Sequence, residues 1–518
     1  MSTSRYWVGL LCVFVLLPSQ AQERSLPEIL CSTCHVFPTP DLLDRNTWTN
    51  QTLPRMKIRV GLAPEEIEKH PEAELLKASG IFLTAPLVNE TNWQAVVAFY
   101  ATNAPVQTPP QKEHAPIEIG LAGFTVEVPR FREKAPATTM VQINAKEHRA
   151  YFGDAGAGSL AILDDSLKLI QQIPTGNAPV SLYETSTNAW ITMIGSFMPT
   201  EVPRGALVRA QKIDGQFVQP QSILKELPRT THAAFGDLNG DGREDFALSI
   251  FGSNTGRFSW FEQLANGEYK EHVLWEKAGA VRSEIRDFNG DGRPDIAVLV
   301  AQETEGLFIY FNDGNGEFHS RTVFQRHPLF GHTYFESGDF NNDGNIDFLV
   351  CNGDNGEYVS PYKNYHGVRI YAGDGNMRWN EAWFYPMHGA FGARARDFDL
   401  DGDLDIAAIS FFPDYESNPR ESFVYLENRG GKGSFDFAPR TFPQCISGRW
   451  LTMDAGDLDG DGDEDIVLGS YIHGPSEVPQ QVMKMWEARG PSMLLLRNNA
   501  RSIKPSPPAP KPAETAAP

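Results

Sequence analysis

At 518 residues the chain is too long for one ordinary domain unless it is a repeat array, and its 41% hydrophobic content is enough to bury a core. A formal charge of -21 argues against nonspecific nucleic-acid binding. Five cysteines are too few for a disulfide framework in a chain this long.

Residues 1–21 read as an export signal. Arg5 gives a positive start, Trp7 to Leu17 forms an apolar stretch of signal length, and Ser19-Gln20-Ala21 offers small residues for cleavage. The stretch is too short for a membrane span, and Cys12 lies inside it, which argues against lipoprotein processing. The expected location is the periplasm or the extracellular space, and no transmembrane segment is expected in the mature chain.

Residues 22–105 are expected to form a small helical domain. Cys31-Ser32-Thr33-Cys34-His35 has the spacing for covalent attachment of one haem c, with two thiols for the porphyrin and a proximal imidazole from His35. No βαβ pattern surrounds it, as a thioredoxin-like redox pair would require. Three distal arrangements stay open: Met56, presented from a loop between Pro54 and Gly61; His70, in an acidic helical stretch; or an open position. Leu26 to His35 is expected as the first helix with Ser25 as its cap, and Asn92 to Tyr100 as the last, capped by Thr91 or Asn92. With these motifs the segment Ile29 to Pro105 resembles the single-haem cytochrome c family, except that Met56 comes early and a helical segment from Pro64 to Ala78 intervenes.

Residues 106–117 read as a stiff Pro-rich linker outside either core, with His114 solvated. From 118 to 502 short strands recur with a common turn vocabulary, which predicts a seven-bladed propeller. Two blades without an Asp pattern lie near 138–174 and 179–227, and five follow near 230–276, 280–328, 332–387, 390–443 and 448–500. The last lacks a fourth strand, so the unassigned strand 124–132 is expected to close the ring. Insertions at 351–366 and 412–421 are expected to stand out as surface loops. Residues 503–518 are a Pro- and Ala-rich tail, disordered by composition.

Each of the five later blades carries one nine-residue pattern. In DLNGDGRED the residues are Asp237, Asn239, Asp241, Arg243 and Asp245; in DFNGDGRPD they are Asp287, Asn289, Asp291, Arg293 and Asp295. DFNNDGNID supplies Asp339, Asn341, Asp343, Asn345 and Asp347; DFDLDGDLD supplies Asp397, Asp399, Asp401, Asp403 and Asp405; DLDGDGDED supplies Asp457, Asp459, Asp461, Asp463 and Asp465. Side-chain oxygens at positions 1, 3, 5 and 9, with the carbonyl of position 7, suit one hard cation per loop, and up to five Ca2+ ions are expected. Position 12 lacks the EF-hand Glu, and strands follow the loops instead of helices. The repeats resemble the FG-GAP or VCBS calcium-binding propellers, also seen in integrin alpha subunits, over roughly Phe124 to Ala500.

The expected fold is therefore a small all-α c-type cytochrome domain followed by an all-β seven-bladed propeller with Ca2+-binding loops. No enzymatic motif emerges, and Cys351 and Cys445 read as inert buried thiols. His232, Arg282, His332, Arg394 and Arg449 lie upstream of the loops and are a candidate patch for an anion or for haem propionates at one mouth of the channel. The expected function is single-electron transfer, with the propeller recognising a redox protein, small molecule or glycan. Two alternatives stay open: a haem-dependent oxidoreductase with a substrate site on the propeller, and an adhesion or polysaccharide-binding propeller with a secondary haem module.

Overall fold

The computed structural model describes residues 24–218, 220–356, 361–430 and 433–503, so the export-signal segment and all but the first residue of the tail lie outside the described residues. Seven sheets, antiparallel apart from Glu118–Ile119, which runs parallel to Phe437–Thr441, form a propeller, as the strand grammar predicts. Its inner strands are Thr138–Asn144, Pro179–Glu184, Thr230–Gly236, Ala280–Arg286, His332–Gly338, Ala390–Arg396 and Trp450–Gly456. In the seventh sheet the outermost strand is Phe124–Glu127, antiparallel to Met493–Asn498, so a strand from before the first blade and the propeller's last strand meet in one blade.

The core is divided among the blade interfaces. Seven apolar clusters lie one per interface, for example Phe288, Phe335 and Phe348 between the fourth and fifth blades. Because neighbours cover each blade on both faces, second strands such as Asp245–Ile250 and Asp295–Val300 are buried throughout and read as unbroken apolar runs. Inner strands are edge strands, and their unpaired N–H groups need acceptors. The preceding blade supplies them: Glu284 accepts from Ser337 N (3.2 Å), Glu336 from Ala395 N (2.7 Å), and Asp454 from Ile143 N (2.9 Å), which carries the pattern across the closure. Every inner strand also has a register shift near its start, as between Thr230 and His232 or His332 and Tyr334.

The helical segment comprises Leu26–Cys31, Arg45–Thr47, Leu53–Arg59, Glu65–Glu68, Ala73–Ser79 and Glu90–Asn103 around one cluster that includes Leu43, Trp48, Leu53, Trp93, Val96 and Tyr100. Ser25 and Glu28 form a reciprocal capping box that starts the first helix. That helix stops at Cys31, short of the expected His35, and Asn89 instead of Thr91 or Asn92 caps the last one, because its Oδ1 reaches Asn92 N at 2.8 Å. Met56 sits on the helix Leu53–Arg59 and not in a loop, since Pro54 falls in a first turn that tolerates it.

Three further expectations are corrected. The linker lies on the propeller: Ile117 is buried in a blade cluster and His114 Nε2 meets the buried Glu421 at 3.2 Å, so His114 is not simply solvated. The insertions are not wholly surface loops: among their described residues Lys363, His366 and Glu421 are buried. Phe197, Phe391, Phe411, Phe412 and Tyr471, from the second, sixth and seventh blades, form an aromatic cluster at the end away from the Asp-rich loops. No described helix is long and apolar enough to cross a membrane.

Candidate functional site

The thiols of Cys31 and Cys34 are free, one partly buried and one exposed, at the turn that ends the first helix. His35 follows with its Nδ1 2.9 Å from its neighbour's carbonyl, Val36 O. A carbonyl is only an acceptor, so Nδ1 holds the proton and Nε2 keeps its lone pair, the state a metal-ligating imidazole requires. Burial holds the His35 pKa below its ordinary value and pushes the Cys31 thiol up. Tyr100 OH donates to Pro38 O at 2.7 Å and pins the segment after the motif. Met56 and Cys31 are both partly buried against the same apolar cluster, whereas His70 is exposed in a turn and accepts from Glu72 N through Nδ1. Cys31 and Met56 therefore share one apolar cluster, on which Leu30, Phe37 and Phe99 are also only partly covered.

This cluster meets the propeller at the end opposite the Asp-rich loops. Leu329 packs on it, Arg59 reaches Glu303 at 3.9 Å, and Glu72 accepts from Thr200 Oγ1 (2.5 Å) and Glu201 N (2.7 Å). Glu201 in turn takes four bonds from Asn254 and Thr255, at 2.8 to 3.1 Å. Sequence reasoning missed Glu201, Glu303 and Leu329, since nothing local to any of them signals a partner so distant in the chain.

In the Asp-rich loops, positions 4 and 6 are left-handed throughout; in the first they are Gly240 and Gly242, with φ of 79° and 82°. Leu400 takes position 4 of the fourth loop at φ 59°, a costly conformation for a branched side chain. These turns aim backbone N–H groups at position 1, so that Asp237 accepts from Gly240, Asp241 and Gly242. The position-9 aspartates are buried and tie loop to sheet: Asp245 accepts from Leu238 N and Gln263 N, Asp295 from Phe288 N and Asn312 N, Asp347 from Phe340 N and Gly373 N, and Asp465 from Leu458 N and Asn498 N. Asp405 accepts from Asn428 N and Tyr425 OH. Burial, with the neighbouring aspartates adding to it, raises Asp347 to about 6 and Asp405 and Asp465 to about 7.

The loops differ in how their charge is offset. Asp397, Asp399 and Asp401 bring carboxylate oxygens within 4.8 Å of one another, as do Asp457, Asp459 and Asp461. In the first three loops the Asn side chains of Asn239, Asn289 and Asn341 donate to Asp241, Asp291 and Asp343. Arg243 and Arg293 also fold their guanidinium groups onto Asp241 and Asp291, a role beyond the expected position-7 carbonyl. Asn345 and Asp403 donate only their backbone N–H to Asp343 and Asp401, and Asp463 does the same to Asp461. Asp287 and Asp339 repeat the role of Asp237, accepting from Gly292 and Gly344. The all-oxygen donor set fits a hard cation such as Ca2+.

The five-residue basic patch is not one ring. His232 and Arg282 meet at 3.4 Å, and Arg282 and Arg394 lie 4.9 and 4.5 Å from the ring centre of Tyr334. His332 is elsewhere, fully buried with Nδ1 on Glu305: seven residues before its first aspartate it is level with Thr230, and the register shift that follows turns it away from the face that Tyr334 and His232 share. Arg449 is also fully buried, its Nε donating to Phe411 O and its guanidinium 4.0 Å from that ring, so it braces the aromatic cluster of Phe411 and Phe412.

An FG-GAP-like repeat model matches residues 237–298 and 287–350. None of the curated proteins matches the chain. Among solved structures the N-terminal domain of Nup159 is similar at 11% identity, covering 74% of this chain and 98% of its own with a TM-score of 0.40, a likeness too distant to carry an argument.

Proposed function

We propose that this chain, whose FG-GAP-like repeats build a seven-bladed propeller, is an exported single-haem electron carrier in which a calcium-stabilised propeller recognises a partner or ligand. The observation that carries the haem reading is the state of His35. Its Nδ1 proton is committed to Val36 O, leaving Nε2 ready to ligate, beside two free thiols at attachment spacing. Cys31 and Cys34 would hold the porphyrin, His35 the proximal position and Met56 the distal one. Met56 is favoured over His70 because it shares the apolar cluster with Cys31, whereas His70 is exposed. Bound there, haem supplies one-electron exchange, at a potential that thioether ligation raises.

The chain's own residues orient and shield. Tyr100 fixes the backbone at Pro38, Val36 O fixes the imidazole tautomer, and Trp48 and Trp93 exclude water from the cluster. The Asp-rich loops would take Ca2+, most simply at Asp397–Asp405, where three carboxylates converge. Protein purified from an exporting, haem-maturing host is expected to carry covalent haem with a low-spin spectrum and a weak far-red sulfur-to-iron band. A colourless protein overturns the reading, and a high-spin spectrum with substrate-dependent reduction would favour an oxidoreductase instead.

A further inference from the structure

The interior of the channel holds a group of donors with too few acceptors. Neutral imidazole offers one donor and one acceptor, yet both ring nitrogens of His232 face donors: Nδ1 lies 3.5 Å from Ser283 N–H and Nε2 lies 3.4 Å from Arg282 Nη1. Only one can be satisfied. Beside them Arg282 Nε and Ser283 Oγ are buried with no hydrogen-bond partner. A buried donor without an acceptor costs about 1–3 kcal/mol, and native proteins fill such places with water or an ion.

The charges point the same way. Arg394 is paired with Asp454 at 3.0 Å, and Arg396 lies 3.5 Å from Glu336. Glu284 accepts from Ser337 N and Oγ, and Glu336 from Ala395 N and Tyr334 OH. Among the described residues no carboxylate forms an ion pair with Arg282; it has the Tyr334 face and His232, and Glu284, already bonded to Ser337, lies near enough for Arg282 to hold down its pKa against burial. Burial, with Arg282 and Arg394 adding to it, holds His232 far below its ordinary pKa and hence neutral. Space exists as well. At the same register position the second and sixth blades supply only Ser181 and Gly392, and a Cβ at Gly392 would touch nothing but Ile409 at 3.6 Å.

From these observations we infer that the inner strands of the third and fourth blades bind one small oxyanion, a carboxylate or a sulfate- or phosphate-like group, between Arg282, His232 and Ser283. The guanidinium gives planar N–H donors matched to such an anion, and the imidazole turns its one proton toward it. This site is argued without the haem reading, from Arg282, His232 and Ser283 alone.

The test is calorimetric titration of the full calcium-saturated chain with sodium sulfate and with sodium acetate, against sodium chloride at equal ionic strength. One oxyanion is expected to bind at a single site; preference for sulfate or acetate identifies which group the site takes. Arg282→Gln should weaken binding at least tenfold and Arg282→Lys less, while the exposed Arg321→Gln should leave it unchanged. A selenate soak should place selenium beside Arg282 Nε, a readout that survives should a variant fail to fold. No binding of either anion, equal binding by a folded Arg282→Gln, or density for water alone overturns the inference.

Discussion

Replacing Asp401 by Asn should change stability in opposite directions with and without calcium. Three carboxylate oxygens of the fourth loop lie within 4.8 Å of one another. Even at the dielectric of bulk water each such pair repels by about 0.9 kcal/mol. The amide removes two of three pairs while its Oδ1 can still accept from Asp403 N, as the carboxylate does at 3.0 Å. In chelator the variant should therefore be more stable by roughly 1 kcal/mol once salt screening is allowed for. In calcium at a hundred times the dissociation constant, the intact site contributes about 2.7 kcal/mol; losing it leaves the variant less stable by roughly 1–2 kcal/mol. With the unfolding entropy of a domain this size, each effect is about 1–2 °C in Tm, and scanning calorimetry with EGTA and with calcium reads both. The same sign in both media, or no calcium dependence of the wild-type Tm, refutes the reasoning.

Other outcomes follow from named contacts. Trp450 is fully buried with Nε1 donating to Cys445 O at 2.6 Å, so Trp450→Ala should destabilise by about 3–5 kcal/mol in denaturant unfolding. The bond to Glu421 raises the His114 pKa above 6.5, so its contribution is complete below that pH and lost as pH rises through the higher folded value. The Tm difference between wild type and His114→Ala should accordingly shrink from pH 6 to pH 9. Burial pushes the Glu201 pKa up, but bonds from Thr255 and Asn254 outweigh it and leave the value lowered. Its stabilisation is present above the unfolded value near 4.5 and lost as pH falls through the folded one. Glu201→Gln should therefore cost about 2 kcal/mol near neutrality and less in acid, measured by urea titration at each pH.

What the sequence revealed depended on how local the physics was. The blades were legible because period-two strands and Asp-Gly turns are written into consecutive residues, as in DFNGDGRPD followed by IAVLV. The basic patch was misread because the register shift between His332 and Tyr334 moves one residue out of alignment, and alternation counted from the aspartates does not reveal it. The linker misled for the opposite reason: its composition suits an extended tether, but Ile117 and His114 find partners in the sixth blade that only the closed ring brings near. Contacts such as Glu72 with Glu201 depend on where two separate units come to rest, and no periodicity encodes that.

In three blades an inner-strand N–H is handed to a carboxylate of the blade before it, always in the same direction round the ring. The fifth, sixth and first blades are therefore not self-sufficient, because Ser337, Ala395 and Ile143 each borrow an acceptor from a neighbour. An excised blade would expose a bare ladder edge and invite self-association, whereas joining the old termini and reopening the chain at a loop tip would keep every loan intact. Circular permutants should therefore fold where blade deletions fail, since what the propeller inherits from its sequence is a cyclic order and not a beginning.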